Sequence, residues 1–550
     1  MSLRPLTSLP THEVTNQVPP LEGWNLFAAD TAAREALARE AGPWAVDRAL
    51  AFGEVLGRPE ILAAGDDANH HPPELRLFDR RGQRVDEVDF HPAYHTMMGL
   101  GRTHGVHNLP WTTTQRGGHA AHAAQLYLLG QVEPGVCCPL TMTYAVVPSL
   151  REEPEVARVW EPRATATAYD ARMIPADQKS SATLGMAMTE KQGGSDVRAN
   201  TTRAVRDGEG WRLTGHKWFC SAPMSDAFLT LAQTEAGITC FLVPRWLPDG
   251  TRNNFFVQRL KDKLGNRSNA SSEIEYLDTW AQRVGEEGRG VPTIIAMVHH
   301  TRLDTTFAAA ALGRRALVEA IHHACHRKAF GARLIEQPLM QNVLADLALD
   351  VEAAALLAFR VARAYDHADD PQEAAFGRIA VPIAKYWTNK RCPPVVAEAL
   401  ECLGGAGYVE EHVLPRLYRE APLNGIWEGS GNVICLDVLR AAGREPQTVA
   451  ALLAELETGR GADRRLDAAI DGVKAAWTSD EDPAWRARSL VERCALTLQA
   501  TLLVRHAPAE VADAFLATRL GGDWGHALGT LPAGTHVREI LRRAWAPVDA

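Results

Sequence analysis

Between residues 180 and 285 the chain changes character. Gly, Asn, Thr and aromatic residues gather there in short alternating runs, whereas the sequence on both sides repeats its apolar positions at helical spacing. Residues 211–220, 228–232, 238–244 and 272–276 read as strands, and Asp207-Gly208-Glu209-Gly210 and Pro248-Asp249-Gly250 supply the turn chemistry between them. A small β unit framed by helices follows, so the expected fold class is mainly α with a central β domain.

The flanks divide further. Up to about Leu21 the prolines Pro5, Pro10, Pro19 and Pro20 predict an extended arm, and residues 24–182 read as largely helical, with clear helices at 31–40 and 119–130. Helical periodicity returns from Gly290 to Ala441 and is longest over 341–364, as in a bundle of antiparallel helices. Residues 445–550 read as a fourth region of shorter helices. The expected domains are therefore 1–182, 183–287, 288–442 and 443–550. No apolar run approaches the ~20 residues that span a bilayer, and the first twenty residues lack a secretory apolar core, so a cytoplasmic location is expected. Nine cysteines with no C-x-x-C spacing point to reduced thiols. Histidines number 20, but none sits at metal-ligand spacing with carboxylates, so no metal site is expected.

Two remote stretches carry chemistry. Met188-Thr189-Glu190-Lys191-Gln192-Gly193-Gly194-Ser195-Asp196 combines unhindered backbone N–H groups with hydroxyls, which suits a flavin edge or a pyrophosphate. Trp427-Glu428-Gly429-Ser430-Gly431-Asn432 places one carboxylate before a Gly-Ser-Gly turn and the start of a helix, where it can act as a base.

Together these stretches resemble the acyl-CoA dehydrogenase superfamily, over roughly residues 25–545. The family's Thr-Glu-Pro-x-x-Gly-Ser-Asp motif is matched with Lys191 in place of the proline. Its Trp-x-Thr strand is matched by Trp218-Phe219-Cys220-Ser221, and its Arg-x-x-Phe-Gly element by Arg327-Lys328-Ala329-Phe330-Gly331 followed by Gln337. Leu403-Gly404-Gly405-Ala406-Gly407-Tyr408 matches the adenine-side loop, with Glu401 where most members carry glutamine. The resemblance implies an N-terminal helical domain, a middle β-barrel and a C-terminal helix bundle. It also implies FAD as cofactor, held by Met188, Thr189, Gly194, Ser195, Trp218, Cys220, Ser221, Trp427, Gly429, Ser430 and Asn432 on one side. Arg327, Phe330, Gln337, Gly404 and Gly405 are implied for the other, the arginine gripping the pyrophosphate of a neighbouring subunit's flavin. Glu428 is implied as the base that removes the α-proton of an acyl thioester.

Some segments are similar to the AidB-like branch of the family, associated with the response to DNA alkylation: 188–197, 261–271, 426–432 and the His91-Pro92-Ala93-Tyr94-His95 stretch. The extension beyond Ala441 fits that branch. It implies a homotetramer that binds double-stranded DNA, with Arg440 and Arg519 as DNA-contact candidates, and protection against alkylation damage. Charge alone is mixed: the chain carries a net −9, and residues 445–550 hold 12 Lys+Arg against 15 Asp+Glu. The alternative is a metabolic acyl-CoA dehydrogenase, reoxidised by an electron-transfer flavoprotein, whose extension serves only assembly. A flavin-free scaffold is the remaining option.

Overall fold

The computed structural model describes residues 5–549. The arm forms a minimal hairpin, Ser8–Leu9 with His12–Glu13, before seven helices longer than ten residues occupy Thr31–Ala41, Pro43–Leu56, Pro59–His70, Pro92–Thr103, Gly118–Gly130, Cys137–Leu150 and Pro154–Ala164. The reading of 24–182 as largely helical missed a second hairpin, Glu74–Phe78 with Arg84–Asp89. Its period-2 alternation is short, and its turn is closed by the Asp79 carboxylate, which accepts from Arg81 and Gln83 N–H groups. The hairpin belongs physically to the β domain. Arg84 donates to Val257 O, and the Asp86 carboxylate accepts from Val257 N at 3.1 Å.

The central domain is a seven-stranded sheet. Strands Phe255–Leu260, Ser271–Val284, Gly210–Ser221, Arg203–Asp207, Ala227–Thr234 and Leu184–Ala187 follow one another across it. Gly237–Pro244 closes it by pairing with both Ala227–Thr234 and the far end of Ser271–Val284. The closed ring, with Phe255–Leu260 and Leu184–Ala187 left as edge strands, encloses an aromatic core of Trp211, Phe228, Phe241, Phe255 and Tyr276.

Three long helices form the bundle: Gly290–His326, Pro338–Asp366 and Pro371–Cys402. The C-terminal helices are shorter than those of the bundle, the longest, Pro483–His506, running 24 residues. Asp482 caps its first turn, and Leu490, Val491, Cys494, Leu498 and Leu502 give it an unbroken apolar stripe. This region shares one apolar core with the bundle and the N-terminal helices, continuous from Leu26 to Val548. All nine cysteines are free and buried. Among the described residues no helix is long and apolar enough to cross a membrane.

The contact between extension and bundle also corrects one expectation. Arg519 leaves only 2% of its side chain exposed and pairs with Asp346 at 2.5 Å and Asp350 at 2.9 Å on helix Pro338–Asp366. A guanidinium committed to two buried carboxylates has no donor to offer a phosphate, so Arg519 is a tie within the fold. Arg440 remains 56% exposed beside Asp437. Removing one partner of a buried ion cluster strands the others without counter-charge. Arg519→Met is therefore expected to cost about 3–5 kcal/mol, against about 0.5 kcal/mol or less for Arg440→Ala, read as the difference in their thermal unfolding midpoints.

Candidate active site

The Met188–Asp196 stretch leaves strand Leu184–Ala187 and folds over a buried carboxylate. Glu190 accepts from the backbone N–H of Thr201 at 2.7 Å and of Thr202 at 3.2 Å, and pairs with Lys217 at 2.8 Å, both side chains being 0% exposed. Burial pushes the Glu190 carboxyl up, but the Lys217 ammonium and these donors outweigh it and hold it below the usual range. The loop is thereby pinned from beneath. Thr189 O accepts from Trp218 N at 2.8 Å. Gly194 lies so close to Thr189 that a Cβ there would stand 2.4 Å from the threonine Oγ1. Ser195 stays exposed.

Strand Gly210–Ser221 carries a β-bulge at this point. Lys217 pairs with Ile274 and Cys220 with Ser272, so Trp218 and Phe219 together oppose Glu273. Simple alternation would put Trp218 and Cys220 on one face. The extra residue instead sends Lys217 and Cys220 both inward, and the Cys220 thiol, 0% exposed, joins the barrel core. Its expected contact with a cofactor is corrected accordingly. Ser221, one residue on, is half-buried with its hydroxyl 3.3 Å from that of Ser271. Trp218 is half-buried, with the Lys261 ammonium 3.2 Å from its ring centroid.

The two remote stretches border one apolar cluster. Met188 and Trp427 pack against this cluster, which includes Cys138 and Met142. Glu428, next to Trp427 in the chain, has φ +58°, a left-handed conformation rare outside glycine. Thr301 Oγ1 lies 2.6 Å from Glu428 Oε2 and also 3.0 Å from Val298 O. A single hydroxyl hydrogen serves one acceptor at a time, so it can follow the charge of Glu428. Arg302 Nε donates to Glu428 O at 3.1 Å, and its Nη1 pairs with Asp437 at 2.7 Å. Burial raises the Glu428 carboxyl, opposed by the Thr301 hydroxyl and the Lys385 and Arg302 cations. Gly429 follows at φ +108°, and Ser430 opens helix Gly431–Arg444 with no side-chain capping bond, leaving Ser430 and Asn432 exposed.

The other predicted residues lie elsewhere. Thr301 and Arg327 belong to the run of helix Gly290–His326 and its C-cap, a separation of roughly 39 Å at 1.5 Å per residue. Arg327 leads into hairpin Lys328–Ala329/Ala332–Arg333, whose turn holds Phe330 at φ +53° and 99% exposed. Gln337 Nε2 braces the hairpin through Ala329 O at 2.9 Å. Gly404 (φ +60°) and Gly405 follow helix Pro371–Cys402, with open space where a Cβ would stand. That helix runs alongside Gly290–His326 in the same direction, so the Gly404 loop and the Arg327 hairpin share the end remote from Glu428.

Sequence reasoning missed Lys385, which is 1% exposed and donates to Trp427 O and Gly429 O. A lone lysine within Ala380-Val381-Pro382-Ile383-Ala384-Lys385 was the available signal, since a charge on an apolar helix face needs a buried partner.

Three family models match the chain: the adaptive response protein AidB N-terminal domain over residues 16–171, the acyl-CoA dehydrogenase middle domain over 185–279 and the acyl-CoA dehydrogenase C-terminal domain over 288–443. AidB of Escherichia coli is 48% identical over 463 residues, covering 84% of this chain and 86% of the relative. Acyl-CoA dehydrogenase family member 11 of Caenorhabditis elegans is 32% identical over 415 residues, 72% of this chain and 66% of the relative. The crystal structure of C. elegans ACDH-11 in complex with C11-CoA superposes with a TM-score of 0.82 at 26% identity, covering 98% of this chain and 95% of that one.

The pinned loop makes a direct expectation. Lys217→Met leaves Glu190 buried without its counter-charge and should cost about 3–5 kcal/mol. Adding Glu190→Gln should recover a measurable part of that loss in the thermal midpoint, because the two substitutions act on one pair.

Proposed function

The chain belongs to the acyl-CoA dehydrogenase family, on the branch of the adaptive response protein AidB, and on that footing we propose that Glu428 is its general base. It is an FAD-dependent oxidoreductase. Bound FAD supplies the acceptor for the hydride that leaves the substrate β-carbon. The residues present fit such a group. Among the described residues the backbone N–H groups of Glu428 and Ser430 have no acceptor. Thr189, Ser195 and Ser221 offer hydroxyls, and Gly404 and Gly405 keep backbone approachable.

The observation that carries the reading is the setting of Glu428: one carboxyl beside an apolar cluster, its acidity weakened by burial and its outer oxygen held by Thr301. A substrate acyl-CoA thioester would lose its α-proton to this carboxylate, which burial makes a stronger base. Thr301 stabilises the ionised form that starts the step.

We infer further that the protein works as a homotetramer. Arg327, Phe330 and Gln337 stand roughly 39 Å from Thr301 along one rigid helix, so a site using both ends draws them from different copies. A strained, fully exposed phenylalanine at that end favours the same reading.

Double-stranded DNA is the second proposed partner, in protection against alkylation damage. It is supported by kinship with an adaptive response protein and by arginines left over from ion pairing. Arg444, Arg464, Arg488, Arg493 and Arg538 make no salt bridge among the described residues, and Arg440 is 56% exposed. The alternative, a metabolic acyl-CoA dehydrogenase with no DNA role, shares the Glu428 chemistry and lacks only this partner.

Three measurements test these readings. Glu428→Gln should slow anaerobic bleaching of the flavin by saturated acyl-CoAs at least about 100-fold, with FAD retained. Thr301→Val should move the rising limb of the pH–rate profile to higher pH, since it removes a donor to the ionised carboxylate; unchanged bleaching in the glutamine variant would refute the base assignment. For DNA, log K should fall linearly with log salt by about 0.9 per phosphate contacted. Arg440→Ala should lower that slope by about one contact, while no duplex binding at low salt leaves the metabolic reading.

A further inference from the structure

Three successive carbonyl oxygens at the candidate base point at two buried cations. Lys385 Nζ lies 2.8 Å from Trp427 O and 2.6 Å from Gly429 O, and Arg302 Nε lies 3.1 Å from Glu428 O between them. In a planar trans peptide the N–H points opposite the C=O. Aiming these three carbonyls at Lys385 and Arg302 therefore turns the N–H groups of Glu428, Gly429 and Ser430 the other way, where those of Glu428 and Ser430 find no acceptor among the described residues. The same clamp fixes the left-handed backbone at Glu428, which a β-substituted residue adopts only under outside constraint.

We propose that Lys385 is a positioning residue for Glu428, holding its backbone and its carboxylate in the geometry of proton abstraction. This rests on the reading of Glu428 as the base and adds the part that sets it. Lys385 does not touch the reacting atoms. It reaches the loop from helix Pro371–Cys402, opposite Thr301 and Arg302 on helix Gly290–His326. A lysine serves better than an apolar residue here because one ammonium has three donors in tetrahedral array and can bridge carbonyls two residues apart.

Electrostatics supports the same assignment. The charged groups facing Lys385 are Glu428, Arg302 and Lys390; those facing Glu428 are Lys385 and Arg302, with the hydroxyl of Thr301 and the thiol of Cys138. Burial brings the Lys385 ammonium down to about 7 despite Glu428. A buried cation also stabilises ionised Glu428, so a neutral side chain in its place leaves the base harder to ionise.

Lys385→Met tests this in the FAD-loaded protein and in the cofactor-free protein. In the loaded protein kcat for acyl-CoA oxidation should fall at least about tenfold with KM changed less than threefold, and the rising pH limb should move up by about one unit. In the cofactor-free protein, amide exchange across residues 423–433 should accelerate at least about tenfold while the bundle core keeps its protection. Lys385→Arg keeps the charge and changes the reach. It should lower kcat several-fold with the pH limb nearly in place, and it carries the test if the methionine variant does not fold. Unchanged exchange and an unmoved pH limb in Lys385→Met, or wild-type kcat and exchange in Lys385→Arg, would overturn the proposal. If instead Glu428→Gln retains activity, it is the base assignment that fails.

Discussion

Helix Gly290–His326 is buried over most of its surface, and the remaining architecture is arranged to make that possible. A helix of 37 residues in a protein interior must find partners for every polar side chain it carries. Arg314 pairs with Asp30 at 3.1 Å and donates to Ala544 O and Ala29 O, tying the start of the first helix and the end of helix Val537–Ala544 to one guanidinium. Asp304 accepts from Thr141 at 2.6 Å and lies 2.9 Å from His122. Arg302 pairs with Asp437, and Arg315 with Glu319 at 2.6 Å. The N-terminal helices, the bundle and the C-terminal region each supply part of this shell, so none could be removed without exposing a buried charge.

The same helix explains why the site residues separate into two groups. A rigid rod cannot bring its own ends together, so Thr301 and Arg327 stay far apart in one chain. Each end bears a non-glycine residue in a left-handed conformation, Glu428 at one and Phe330 at the other. At Glu428 the strain is held by Lys385 and Arg302. At Phe330 it belongs to a two-residue hairpin turn, which requires positive φ, and the ring projects into open space. Strain persisting in both places marks them as positions where geometry outweighs local comfort.

The extension beyond Ala441 illustrates how charge counts mislead. Its arginines outnumber its single lysine, yet many are spent inside the fold: Arg519 on Asp346 and Asp350, Arg543 on Glu35 and Glu352, Arg465 on Asp463 and Asp513. Arg360 of the bundle reaches Glu455 in return. Whether Arg519 and Arg543 face water depends on carboxylates more than a hundred residues away, which no short window of sequence contains.

The order of helix, barrel and helix was legible because periodicities of 3.6 and 2 are local properties of the chain, as were the turn glycines and the two motifs around Thr189 and Glu428. What only the tertiary structure decided was orientation and partnership. One extra residue opposite Glu273 turned the Cys220 thiol into the barrel core, two carboxylates withdrew Arg519 from the surface, and a lysine 43 residues before Glu428 proved to grip the backbone on both sides of it. A bulge depends on cross-strand register and a buried ion pair on long-range contact, and neither leaves a trace in the spacing of residues along the chain.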